Sequence, residues 1–118
     1  MTLLTKAAIL GAADLPTKDV AVPEWGGTIR IRALTAAQME DLQAEFMSAQ
    51  KDGQIVPQHW RAKHMALSAI DEAGALLFTE TEAGKLAQKS GVAMFRVFDA
   101  INVFNAQTPG AIEEAANN

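Results

Sequence analysis

Cysteine is missing altogether from these 118 residues. That excludes a disulfide framework, cysteine-ligated zinc and a thiol nucleophile. A concentration of basic residues along the chain is missing too, though overall acidity does not forbid a small basic patch. The formal net charge is -4 and the lysines and arginines are scattered, whereas nucleic-acid binders draw most of their affinity from cations facing phosphates. No stretch approaches the roughly 18 apolar residues of a membrane span. The opening Met-Thr-Leu-Leu-Thr-Lys-Ala-Ala-Ile-Leu lacks the charged start and long apolar run of a secretory signal. With no cysteine beside it, this suits a reducing cytosol. There is also no internal repeat and no long linker. One domain with a real core is therefore the expectation, since 49% of the residues are hydrophobic.

The motifs that usually announce chemistry are incomplete. His64, Ser68 and Asp71 are spaced by four and three, so a helix places them on one side. His64 and Asp71 are then two turns apart, roughly 10 Å along the axis, too far for the carboxylate to orient the imidazole. This trio reads as a solvated polar face. His59 and His64 are five apart and diverge on a helix, whereas zinc prefers a spacing of four. Asp71-Glu72-Ala73-Gly74 lacks the oxygen ligands of a calcium loop at its third and fifth positions. Gly26-Gly27 lies between two strands, without the strand-to-helix setting of a phosphate loop. No catalytic, cofactor or metal residue is assigned.

What is present is a set of ordered elements. Residues 1–17 read as an arm or short helix carrying Leu3, Leu4, Ile9 and Leu10. Alternation at Val20/Val22 and Ile29/Ile31 gives a hairpin over about 18–33. Closing it with a two-residue Gly26-Gly27 loop sets Val22 opposite Ile31, Val20 opposite Ala33 and Trp25 opposite Thr28. Pro23 donates no hydrogen bond, so its strand should be an edge or carry a bulge. Thr35 and Gln38 form a capping box for a helix to about Lys51, with Met39, Leu42, Phe46 and Ala49 on its inner face. Pro57 opens a second helix to about Asp71, with Trp60 inward. A turn at Asp71–Gly74, an extended Ala75–Phe78 and a capping box from Thr79 to Glu82 come next.

The last helix runs from about Val92 to Asn105. One broad side is apolar, yet Val92, Phe95 and Val103 fall among Arg96, Asp99 and Asn102 on the other. A helix apolar beyond one face is usually covered on several sides. Phe95 is the best candidate for this excess, covered either by the N-terminal arm or by another chain. Trp25 packs down as a staple or stands out as an anchor. Trp25, Phe95 and Val103 are therefore the candidate partner-binding residues. Residues 106–118 read as a flexible tail beyond a single globular domain over 18–105. The expected fold is α+β, mostly helical, with one N-terminal hairpin and about four helices.

Two ordered segments carry a resemblance. Val20-Ala-Val-Pro-Glu-Trp-Gly leads through Arg32-Ala-Leu-Thr35 into a helix, and Asp71-Glu-Ala-Gly-Ala-Leu-Leu-Phe-Thr79 follows before a helix-rich end. Over roughly Lys18 to Asn105 the chain resembles the tail assembly chaperones of long-tailed (siphophage-type) bacteriophages and prophages. Ala73 departs from that pattern, which often has a polar residue there. The resemblance implies a non-enzymatic protein of the host cytoplasm that is absent from the mature virion. It implies binding of the tape-measure protein, which it keeps soluble, and recruitment of tail-tube subunits. It also implies a possible frameshifted longer form that reaches the major tail protein. Exposed apolar surface of this kind also invites homo-oligomers. The alternative is a structural virion component of the tail-terminator or head-completion type.

Overall fold

Val20 and Ile29 face one another across the hairpin, and that pairing sets the rest of the sheet. In the computed structural model, which describes residues 2–106, β1 (Thr17–Val22) and β2 (Gly27–Arg32) run antiparallel. Val22 pairs with Gly27 and Lys18 with Ile31, not Val22 with Ile31 as a two-residue loop requires. The connection is longer because Pro23–Trp25 form a 3-10 turn. Gly26 closes it with φ 70° and donates its N–H to the Pro23 carbonyl at 3.1 Å. Proline presets φ for such a turn and needs no donor there. The shift moves each partner by an even number of residues, so Val20, Val22 and Ile31 still share the buried face. Thr28 pairs with Ala21, not with Trp25, and Ala33 lies past β2 with its N–H on the Pro16 carbonyl.

The hairpin is not the whole sheet. Ala69–Ile70, expected as the last helical turn, form a short strand β3 beside β2, giving the order β1-β2-β3. Strand β1 is therefore an edge, with Pro23 directly after it.

Helix α1 (Lys6–Leu10) buries none of its residues. Helix α2 (Ala36–Lys51) starts on the expected Thr35–Gln38 capping box, and Asp52 caps its end. It buries Leu42 and Ala49 and half-buries Phe46, but Met39 of the expected face is exposed. Helix α3 runs Trp60–Ser68. It starts three residues later than Pro57 suggests, because His59 before it sits in the left-handed region at φ 57°, which a helix cannot continue through. A 3-10 turn at Glu80–Glu82, with the Thr79–Glu82 capping box, leads into α4 (Ala83–Leu86). Helix α5 spans Gly91–Asn105, with the Ser90 hydroxyl accepting from the Ala93 N–H.

The core lies between the sheet and α3, α4 and α5. Val20, Val22, Ile31, Met65, Leu86, Met94, Val97 and Ile101 are its large members. Each such side chain contributes about 1.5–3 kcal/mol on burial. Helix α2 stays at the margin, held by the Lys63–Glu45 ion pair, a Phe46–Trp60 ring contact at 5.8 Å and the Gln38 amide on the Leu67 carbonyl. Asn105 ties the far end of α5 to the β2–α2 link. Its side-chain oxygen accepts from the Leu34 N–H at 2.8 Å, and its amide donates to the Ile101 carbonyl. The tail expected over residues 106–118 lies, apart from Ala106, outside the described residues.

Candidate partner-binding surface

At about 100° per residue, the apolar residues of α5 divide into two arcs. Ala93, Met94, Val97 and Ile101 turn inward and are buried. Val92, Phe95 and Val103 lie on the opposite arc with Arg96, Asp99 and Asn102. Phe95 is 53% exposed and Val103 59% exposed. The sequence left Phe95 between the N-terminal arm and another chain. The arm does not seal it, and one intramolecular neighbour is the Arg61 guanidinium, 5.5 Å from the ring centroid. The same guanidinium stands 5.5 Å from the Phe98 ring. Cations over aromatic faces attract by the ring quadrupole.

The hairpin turn is fastened to this helix. Arg96 donates twice to the Glu24 carboxylate, from Nε at 3.2 Å and Nη2 at 2.9 Å. The bidentate bond holds the Glu24 carboxyl below its ordinary pKa, with a smaller contribution from a backbone hydrogen bond. Trp25, one residue on, is 36% exposed. It is neither a closed staple nor a free anchor. The structure thus places the turn that carries Trp25 against the helix that carries Phe95. Val103 lies eight residues further along α5 than Phe95, about 12 Å along the axis.

His64 and Ser68 contradict the reading of the trio as a solvated face, whereas Asp71 is exposed as read. His64 is 6% exposed and Ser68 is fully buried. The Ser68 hydroxyl donates to the Arg32 carbonyl at 2.7 Å, locking α3 to β2. His64 Nδ1 meets the Trp60 carbonyl at 2.8 Å, and its ring lies edge-on between Trp60 and Phe98. Burial pushes its pKa down, partly opposed by that hydrogen bond. The Asp71 carboxylate accepts from the Ala73 and Ala75 N–H groups and shapes the turn around Gly74. Each polar group is thus committed to a separate structural bond. The burial was missed because the strand that turns α3 inward, Ala69–Ile70, is two residues long and leaves no alternation to read.

Two grooves flank α3. One, of about 480 Å³, runs between the Val56–Ala62 stretch and the α4–α5 junction, over Trp60, Met94 and Phe98. The other, of about 400 Å³, lies against α2 and is edged by Asp41, Glu45, Lys63 and Glu80. Sequence reasoning did not single out either. Ile55-Val56 immediately before Pro57, an apolar pair in a loop, was the available signal; Ile55 is 87% exposed.

No protein-family model matches this chain, and no curated protein matches it. Its fold is similar to the solved structure of the bacteriophage HK97 tail assembly chaperone, with a TM-score of 0.54 and 16% sequence identity over 80% of this chain and 88% of that one. Identity this low speaks for architecture, and in architecture the chain has a tail assembly chaperone fold.

Proposed function

We propose that this protein is a tail assembly chaperone of a long-tailed phage or prophage, acting by binding and without catalysis. It works in the host cytoplasm and is left out of the finished particle. Its client is the tape-measure protein, whose apolar helical stretches it covers before the tube polymerises, and it helps bring tail-tube subunits to that client. The observation that carries this reading is the outer arc of α5. Val92, Phe95 and Val103 are exposed on a helix whose other arc already fills the core. Singly exposed apolar residues are ordinary, but several along one helix, beside a partly exposed tryptophan, suit helix-to-helix recognition. The fold likeness supports the same reading.

Co-expression with the tape-measure protein encoded alongside tests it. The client should stay in the soluble fraction and co-purify, and Phe95→Ala with Val103→Ala should reduce capture at least tenfold. A client equally soluble without this chain, or no co-purification at all, sinks the proposal. Recovery of this chain from purified virions would favour a structural tail component instead.

A further inference from the structure

Every charged residue that lines the 480 Å³ groove is basic. Arg61 and Lys89 stand at its sides, and neither aspartate nor glutamate contributes to it. This runs against a chain whose net charge is -4. We propose that the groove receives an amphipathic helix of a partner protein, with an apolar stripe flanked by carboxylates. The inference rests on the reading of the chain as a chaperone and names the chemistry of the segment it holds.

Three observations support an acidic occupant. First, the three ion pairs among the described residues are Asp19–Arg30, Glu45–Lys63 and Glu24–Arg96. Arg61 and Lys89 take part in none of them, so both cations are available to a ligand. Second, Arg61 is held in place by Phe95 and Phe98 at 5.5 Å. A guanidinium stacked on rings keeps its donor fork free for a carboxylate and loses less freedom on binding. Third, the floor is apolar, with Trp60, Met94 and Phe98. A volume of about 480 Å³ falls within the range of ordinary ligand sites and has room for side chains from one face of a helix. The groove also meets the outer arc of α5 at Arg61, so a bound helix would continue onto Phe95. The second groove is a built-in contrast. Asp41, Glu45 and Glu80 line it with only Lys63, already paired with Glu45, and it repels the same ligand.

The test is calorimetric titration of the full chain with two synthetic peptides. Both carry leucines at i, i+3, i+4 and i+7 over about 18 residues, a length at which a helix is stable enough to be selected. One has glutamates flanking the leucine stripe and the other lysines. The glutamate peptide should bind at least tenfold more tightly. Arg61→Glu with Lys89→Glu should reverse the preference. Lys89→Glu alone, at an exposed site, should weaken the glutamate peptide severalfold and decides the matter if the double variant does not fold. Equal binding of the two peptides overturns the proposal, as does glutamate-peptide binding indifferent to these charges. Self-association of the free chain that the same reversals abolish would make the groove a contact between copies and overturn it too. A double variant that still captures the tape-measure protein at full strength overturns the groove while leaving the chaperone reading intact. Failure of the unaltered chain to capture that client counts against the chaperone reading, and the peptides still decide the groove.

Discussion

The two arcs of α5 have similar apolar residues and opposite fates. Val97 and Ile101 on the inner arc are fully buried, whereas Phe95 and Val103 on the outer arc are more than half exposed. Hydrophobicity alone does not distinguish them. What separates them is whether the sheet and α3 reach that side of the helix. The inner arc therefore serves stability and the outer arc is free to serve a partner, so one helix should yield two kinds of mutant.

The largest expected effect is on the inner arc. Ile101→Ala should cost about 2–5 kcal/mol, the range for emptying a well-packed aliphatic site, read by urea denaturation. A loss below about 1 kcal/mol would erase the distinction between the arcs. Next comes the strut under that arc. Ser68→Ala leaves the Arg32 carbonyl without its side-chain donor and should cost about 1–3 kcal/mol. A neutral result would mean that water replaces the hydroxyl.

The third prediction concerns pH and the ring packed beside the inner arc. Burial lowers the His64 pKa below its ordinary 6.5 in the folded chain. Between that lowered value and 6.5 the unfolded chain holds more protons, so stability rises with pH there. The contribution is intact above 6.5 and is lost as pH falls through the folded value. Denaturation midpoints of the unaltered chain and His64→Phe, compared from about pH 7.5 to about pH 5.5, isolate this group from the carboxylates. The unaltered chain should lose stability faster; parallel curves would show that the histidine ionises freely in place.

The outer arc should give the smallest changes in stability. Phe95→Ala should alter it by no more than about 0.5 kcal/mol while reducing client capture severalfold. Glu24→Ala removes an exposed ion pair. It should leave the melting temperature within error and lessen capture only as far as the Trp25 turn needs its tether.

Much of the architecture was legible because its signals are local. The capping boxes at Thr35–Gln38 and Thr79–Glu82 formed as read. The excess of α5 could be seen because a 15-residue helix samples its whole circumference. The errors share a cause in distance along the chain. Ser68 is buried by β2, 36 residues away, and no spacing near Ser68 records that. The hairpin register turned on Pro23, read as a limit on pairing when it also starts a turn. The basic groove assembles Val56–Ala62 with Ala87, Lys89 and Phe98, three stretches whose cations look merely scattered along the chain.

Strand β1 carries a final consequence. It is one edge of the sheet, bracketed by Pro16 and Pro23, with Asp19 bound to Arg30 across the ladder. Prolines at both ends and charges between them make a poor template for a strand from another molecule. That edge therefore resists strand addition even though the helical side is rich in exposed apolar groups. Strand addition at β1 is thus disfavoured, and the apolar surface open to a partner lies on the helices.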